Sequence, residues 1–299
     1  MNIQLPKRLH LKSFDALYDR LHRLAANEAL HVDMEDLEFA EPAGLLPLVC
    51  VLRNHVAAGG AVSIQSLPKS NDVCGYLERV NFYRLLSCGC GHKHGKRTNS
   101  DEFIEISEVG SHSLPGSTKT KLHSLFGTRV DVTGEAGDSF LTACAELVDN
   151  TRHAYNVAVE PQAVAWPTAL ILGQYYEQSN TLHVTVCDSG IGIMRSLGAK
   201  DPQIGFSSDK EAIDRALVLG MKAASHPGKG VGLAAITRFM SQNGGTLAIR
   251  SGLCSSIRTP YRRHKKVPFW KGTVVSLEIR GARSIDISEV IAKMAGKVR

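Results

Sequence analysis

The stretch Thr181-Leu-His-Val-Thr-Val-Cys-Asp-Ser-Gly-Ile-Gly-Ile193 decides how this chain is interpreted. Residues 181–187 have the composition of a β-strand, and Asp188 follows directly after them. Gly190 and Gly192 then predict a backbone that turns tightly against a flat ligand. An ionised Asp accepts hydrogen bonds and donates none, so it suits the exocyclic amine of adenine. The same spacing also occurs in ordinary strand-to-loop turns, and both interpretations stay open at this point.

Upstream of that strand, a helix predicted over 139–156 carries Glu146-Leu-Val-Asp-Asn150. Glu146 and Asn150 are four residues apart, so they project from one helical face with Asp149 beside them. The carboxylate can take a proton from an attacking water or hydroxyl. The amide oxygen can complete the octahedral oxygen shell of Mg²⁺ on a triphosphate. A solvated polar stripe is the competing interpretation of this motif alone.

A second glycine-rich segment, Gly228-Lys-Gly-Val-Gly-Leu233, opens a helix predicted over 231–242. Glycine amides at a helix N-terminus form an anion site from unpaired N–H groups and the helix dipole. Lys229 adds a mobile positive charge. The segment is not a P-loop, because no GK[ST] stands at the required offset, and no βαβ unit with a downstream acid supports a Rossmann interpretation. A plain glycine-rich helix start is the alternative.

The order of these three motifs resembles the N, G1 and G2 boxes of the GHKL ATPase superfamily, which includes gyrase, the cytosolic heat-shock chaperone, histidine kinases and MutL. Lys271-Gly-Thr-Val-Val275, on a late predicted strand, resembles the final box of that family. The resemblance covers about residues 103–281. It implies an α/β fold, the two-layer α/β sandwich known as the Bergerat ATP-binding fold, with ATP and Mg²⁺ as cofactors.

The resemblance also implies a role for each matching residue. Glu146 resembles the general base, and Asn150 resembles the Mg²⁺ ligand. The segment 195–227 would form a lid over the nucleotide. His153 departs from the family pattern, because members with an N-S-x-D-A sequence have an acid at that position. The residues expected to contact the nucleotide are Asp149, Asp188, Gly190, Gly192, Gly228, Lys229, Gly230, Val231, Gly232, Leu233 and Thr273.

The N-terminal part of the chain, to about residue 88, alternates helix and strand patterns and reads as a small α/β unit. Its strand-loop-helix pattern over 32–45 resembles STAS domains of the anti-sigma-antagonist type. That family usually has D-S-S-G, with a phosphoacceptor serine, where this chain has Glu41-Pro-Ala-Gly44. Since no hydroxyl is present, we expect this unit to bind a protein partner by contact alone, without a phosphorylation switch.

The composition changes over 88–100 to glycine, histidine and lysine, which is typical of a linker. We therefore predict a STAS-like domain over 1–90, a linker over 91–102 and an ATP-binding domain over 103–299. Four zinc-capable residues lie in this stretch, but their spacing is not that of a usual zinc finger. A structural zinc ion and a flexible linker both stay open. The four residues are Cys88, Cys90, His92 and His94.

The chain has 299 residues, of which 43% are hydrophobic and 21% charged, values that exclude disordered, collagen-like and coiled-coil proteins. Its longest apolar stretch, 43–52, is too short to span a bilayer. No secretory signal is visible, and the seven cysteines are scattered, so we expect a cytoplasmic protein with reduced thiols and no membrane contact. The basic segment 258–266, predicted as a loop, is either solvated or in contact with nucleic acid or an acidic protein.

The leading hypothesis is a Mg²⁺-dependent ATPase whose nucleotide state moves the lid and so controls a partner or self-association as a homodimer. A serine/threonine protein kinase of the anti-sigma-factor type is the first alternative, and a non-hydrolysing ATP-binding scaffold is the second. The complete Glu146 and Asn150 pair favours hydrolysis over a scaffold. A two-component histidine kinase is disfavoured, because no long helical hairpin bearing a phosphoacceptor histidine precedes the Glu146 helix.

Overall fold

The computed structural model describes residues 1–25, 27–86, 102–109, 116–129, 135–151, 169–199, 205–218, 232–258 and 262–280. They form a mixed α/β structure with a five-stranded antiparallel sheet. The described helices are α1 (Leu11–Leu21), α2 (Pro42–Ala57), α3 (Asn71–Arg79), α4 (Phe82–Leu85), α5 (Gly116–Arg129), α6 (Glu135–Thr151), α7 (Gly192–Gly198), α8 (Asp209–Ala216) and α9 (Gly232–Gln242). The described strands are β1 (Asn2–Gln4), β2 (Arg8–Leu9), β3 (Ala29–Asp33), β4 (Phe39–Ala40), β5 (Ala61–Ser66), β6 (Phe103–Glu108), β7 (Ala169–Tyr176), β8 (Thr181–Asp188), β9 (Thr246–Arg258) and β10 (Arg262–Arg280). Within these ranges, no helix combines the length and apolar character needed to cross a membrane.

The N-terminal unit, residues 1–86, contains a parallel sheet in the order β1-β3-β5. Helix α1 starts after His10, whose ring accepts from the backbone N–H of Ser13 while the Ser13 hydroxyl accepts from the backbone N–H of His10. The two residues thereby satisfy each other's N–H groups in the first turn. The apolar pattern of 72–86 predicts one helix, but the structure divides it into α3 and α4, because Asn81 adopts a left-handed conformation with φ of 68°.

The larger sheet has the order β6-β7-β8-β10-β9, and every neighbouring pair is antiparallel. Strand β8 lies at its centre and ends at Asp188, which is opposite Ala169 of β7 and Thr273 of β10. The sequence predicts short strands over 246–250 and 273–279, and β9 and β10 extend far beyond them. The segment 258–266 was expected as a loop, and that expectation is wrong over 262–266, which pairs with β9.

One face of the larger sheet is covered by α6 and α9. Phe140 of α6 and Phe239 of α9 share one buried cluster with inward-facing residues of the strands. Val184 and Val186 of β8 belong to the same cluster, as alternation along a strand requires. The two amphipathic helices predicted from the sequence therefore bury their apolar sides in a single core.

The opposite face of the sheet packs against the N-terminal unit. Helix α2 contacts β7 and β8, and Leu170, Leu172 and Cys187 of these strands lie in the same buried cluster as the apolar side chains of α2. The N-terminal unit thus forms a third layer, which the expected two-layer sandwich does not include. The proposed domain division at 91–102 stays a prediction, because residues 87–101 lie outside the described part of the chain.

Candidate functional site

Helix α6 presents a polar edge next to its buried side. Leu147 and Val148 are buried in the core, whereas Glu146 and Asn150 are half-buried and lie one turn apart. Burial raises the pKa of Glu146, and the negative charge of Asp149 raises it further. A carboxylate with a raised pKa is a stronger proton acceptor once it is ionised. The edge therefore has the chemistry of a general base beside a carboxamide.

Asn150 provides the observation that tests whether a magnesium ion fits here. Its Nδ2 atom is buried and makes no hydrogen bond to any described residue. Buried polar atoms normally have partners, and Nδ2 is a hydrogen-bond donor, so it fits a phosphate or water oxygen and not the ion itself. No cluster of three or more His, Cys, Asp or Glu in the described ranges could hold a metal ion by itself. Mg²⁺ commonly binds through one or two side chains together with phosphates and water, so these residues fit an ion that arrives with a nucleotide.

Asp188 lies at the end of β8 with 5% of its surface exposed. Its Oδ1 atom accepts hydrogen bonds from the backbone N–H of Gly190 at 2.9 Å and of Thr273 at 3.2 Å. Its Oδ2 atom accepts none from the residues that the structure describes. Burial raises the pKa of Asp188 to about 7, and the two backbone hydrogen bonds limit the rise. The Oδ2 atom of this buried carboxyl group is therefore left to accept a hydrogen bond from a ligand.

Two glycines allow backbone segments to meet beside Asp188. Gly192 has φ of +78°, and a Cβ atom there would lie 2.9 Å from the Lys271 carbonyl oxygen. A Cβ atom on Gly272 would lie 2.0 Å from the Asp188 carbonyl oxygen. Only glycine permits such contacts without a shift of the backbone. The loop after β8 and the Thr273 motif are thus brought together, as the sequence predicts.

We expect Gly272→Ala to destabilise the protein by about 1–3 kcal/mol, the usual range for overpacking, because the added methyl would overlap the Asp188 carbonyl. Gly198→Ala is the matched control, since nothing lies within 4 Å of the corresponding Cβ position. Urea unfolding of both variants measures the difference. Equal stability of the two would contradict the close contact between Gly272 and Asp188.

The N-terminus of α9 meets the polar edge of α6. A Cβ atom on Gly232 would lie 2.2 Å from Oε2 of Glu146, and Leu233 packs against the core. Helix α9 leads through a short turn into β9, whose first residue Thr246 lies at the same end of the sheet as the start of β8. The N-terminus of α9 therefore points towards the end of β8. The rest of the predicted phosphate segment, 228–231, lies outside the described residues, and its contacts stay predictions.

Ser251 and Trp270 hold the loop after β8, and neither is among the predicted site residues. The Ser251 hydroxyl accepts from the Ile193 N–H and donates to the Gly272 carbonyl, both at 3.0 Å. The Trp270 indole N–H donates to the Asp188 carbonyl at 3.2 Å. The sequence suggests a packing role for Trp270, which is indeed 2% exposed. The second role of Trp270 is to hold the Asp188 carbonyl. The one sequence signal for this role is that Trp270 lies directly before the Lys271 motif.

The segment expected to form a lid, 195–227, is partly a packed helix. At the start of α8, Asp209 accepts a hydrogen bond from the Leu253 N–H of β9 at 2.9 Å. Ile213 of the same helix is fully buried. These contacts hold α8 against β9 in this structure, so part of the segment is a packed helix. Movement of the segment as a lid stays a prediction, and residues 200–204 and 219–227 lie outside the described part of the chain.

The basic segment 258–266 is partly neutralised by Asp214 of α8. Three side chains of this segment lie within 4.0 Å of the Asp214 carboxylate, those of Arg258, Arg262 and His264, and Lys210 of α8 also pairs with it. Arg263 and Lys266 are exposed and make no ion pair with any described residue. Contact with nucleic acid or an acidic protein therefore stays a prediction. The four zinc-capable residues of 88–94 lie outside the described part of the chain.

The described residues thus bring four predicted motifs into two groups. The loop after β8 meets the Thr273 motif around Asp188, and the start of α9 meets the polar edge of α6 around Glu146. The comparisons with known proteins add no family, because no family model matches the chain and no curated protein matches it significantly.

Proposed function

We propose that this protein binds Mg²⁺-ATP between the loop after β8 and the start of α9, and hydrolyses it with Glu146 as the general base. The observation that carries the proposal is the open Oδ2 of the buried Asp188, next to backbone segments that only glycine allows so close. A planar ligand with an amine donor, such as adenine, would satisfy this oxygen. The antiparallel sheet with α6 and α9 on one face is the layer arrangement that the GHKL resemblance implies, which supports a Bergerat-type fold.

In this mechanism the residues of the chain act at two ends of the site, one that binds the adenine base and one that binds the phosphates. Asp188 orients the base, and the N-terminus of α9 offers N–H groups and a helix dipole to the phosphates. Asn150 would hold Mg²⁺ through its amide oxygen, and the bound ion would neutralise phosphate charge. Glu146, in contact with Gly232, would accept the proton of the attacking water. Its raised pKa strengthens it as a proton acceptor.

The kinase alternative requires a hydroxyl acceptor. At the start of α2, Pro42 and Ala43 stand where the D-S-S-G pattern of STAS proteins has serines, and both residues are buried. These positions therefore offer neither a hydroxyl nor access to a second active site. A kinase reaction would need an acceptor in another protein. The identity of a protein partner of the N-terminal unit, and homodimer formation, stay predictions.

Incubation with γ-labelled ATP and Mg²⁺, with and without cell extract, tests the reaction. We expect label to appear as free phosphate from the protein alone. Label on a protein in the extract would support the kinase alternative. Nucleotide binding without either product would support a scaffold. Absence of nucleotide binding in calorimetry would overturn the proposal.

We expect Asp188→Asn to weaken binding of a non-hydrolysable ATP analogue by about 1–3 kcal/mol, because the amide that replaces Oδ2 no longer accepts from the adenine amine. Calorimetric titration in the presence of Mg²⁺ measures the affinity. Asp72→Asn, an exposed position at the start of α3, is the control for the same chemical change. Unchanged affinity in the Asp188 variant would refute the adenine assignment.

A further inference from the structure

A buried ion pair connects the N-terminal unit to the strand beside the site. Arg250 of β9 has a fully buried side chain and pairs with Asp15 of α1, whose side chain is 7% exposed. The guanidinium also donates to the Pro268 carbonyl at 3.0 Å. Burying two charges costs free energy unless the geometry is well satisfied. The pair links α1 to β9, and Lys265 of β10 lies 3.7 Å from the same Asp15 carboxylate.

Aromatic rings surround this link and lead to Asp188. The guanidinium carbon of Arg250 lies 5.0–5.7 Å from the ring centroids of Phe14, Tyr18 and Trp270. The Trp270 ring packs against Tyr18 of α1 with centroids 5.1 Å apart. The same indole donates its N–H to the Asp188 carbonyl. A single side chain thus contacts both the N-terminal unit and the backbone of the residue that we assign to adenine.

Helix α2 holds the two neighbours of Asp188. The Ser189 hydroxyl donates to Oδ1 of Asn54 at 3.4 Å. The Cys187 side chain lies in the same buried cluster as Cys50 of α2. Three consecutive residues at the end of β8 are therefore held by the N-terminal unit or by a side chain packed on it. The hydrogen bonds of Asp188 to Trp270 and of Ser189 to Asn54 span 82 and 135 positions of the sequence.

We propose that the N-terminal unit is part of the nucleotide site. Trp270 is the positioning residue that holds Asp188, and the Asp15–Arg250 pair holds Trp270 against α1. The inference rests on the proposed ATP site and adds that the N-terminal unit controls the affinity of this site for nucleotide. Any partner that shifts α1 changes nucleotide binding, because α1 and Asp188 contact the same indole.

Trp270→Phe in the full chain isolates the hydrogen bond, because phenylalanine keeps an aromatic ring in the cluster but has no N–H donor. We expect the KM for ATP to rise roughly tenfold, a typical coupling between sites, with kcat unchanged. An interaction that acts only on binding has this signature. A merely structural role would instead lower the melting temperature and the active fraction, without a change in KM.

Asp15→Asn tests the support from the N-terminal unit. Asp19→Asn is the matched control on the same helix, since Asp19 is exposed and, among the described residues, its ion pair is the local one with Arg23. We expect a rise in KM for the Asp15 variant and none for the Asp19 variant. If the Asp15 variant does not fold, the Trp270→Phe result decides.

Fluorescence gives a direct readout of the positioning residue. The chain has two tryptophans, so Trp166→Phe leaves Trp270 as the sole emitter. We expect a non-hydrolysable ATP analogue to change its emission, and Asp15→Asn to change it without nucleotide. Wild-type KM in both the Trp270 and Asp15 variants would overturn the inference while leaving the ATP site intact. Failure of the wild-type protein to bind nucleotide would instead refute the proposed function.

Discussion

Glu146→Gln should reduce phosphate release by about 10²–10⁴-fold, the usual contribution of a general base, while affinity for ATP stays close to that of the wild-type protein. The reason is that the carboxylate acts on the attacking water and not on the nucleotide. Glutamine keeps the size of the side chain beside Gly232 but cannot take the proton. Phosphate release and nucleotide affinity, measured on the same preparations, test the prediction.

Two neighbouring variants on α6 distinguish this role from a loss of helix stability. Asn150→Ala should lose both binding and turnover, because it removes the oxygen that we assign to Mg²⁺. Asp149→Asn should shift the pH profile of turnover, in addition to any loss of affinity from the nucleotide contact that the sequence predicts for Asp149. Because the charge of Asp149 raises the pKa of Glu146, its removal lowers that pKa, and activity should persist to a lower pH. Hydrolysis by Glu146→Gln at the wild-type rate would show that Glu146 is not the base.

Local sequence patterns predict most elements of this site, because they depend on residues close in the chain. The polar edge of α6 follows from the four-residue spacing of Glu146 and Asn150, and the end of β8 follows from Asp188 and the glycines after it. Both predictions agree with the described elements. The roles of these residues towards ATP stay predictions, as do all contacts of residues 228–231.

The features that sequence reasoning misses depend on distant contacts. The requirement for glycine at 272 comes from the Asp188 carbonyl, which is more than eighty residues earlier in the chain. The pairing of Arg250 with Asp15 spans 235 residues, and no local pattern identifies a buried arginine on a strand. The basic segment 258–266 has a loop-like composition, but pairing with β9 overrides that preference. Contacts between distant parts of the chain therefore determine the structure where local composition does not.

Asp188→Asn should stabilise the nucleotide-free protein above neutral pH, although it weakens nucleotide binding. Burial raises the pKa of Asp188 from 3.8 to about 7, so the folded state holds this proton more tightly than the unfolded state does. The stability that the protonated group contributes is fully present below about pH 4 and is lost as the pH rises through about 7. Because one pKa unit corresponds to about 1.36 kcal/mol, the loss above neutral pH is about 4 kcal/mol.

Asparagine resembles the protonated carboxyl group in shape and keeps an oxygen for the N–H groups of Gly190 and Thr273. The variant should therefore exceed the wild-type free energy of unfolding by about 4 kcal/mol near pH 8, with less than half of that difference near pH 5. Urea unfolding at both pH values measures it, with Asp72→Asn as the control. Loss of the exposed Asp72 charge from the first turn of α3 should instead destabilise the protein by no more than about 1 kcal/mol. Equal stability of the wild-type and Asp188→Asn proteins near pH 8 would mean that the buried carboxylate does not destabilise the folded state. A stabilised variant that no longer binds nucleotide would show that Asp188 is kept for its ligand.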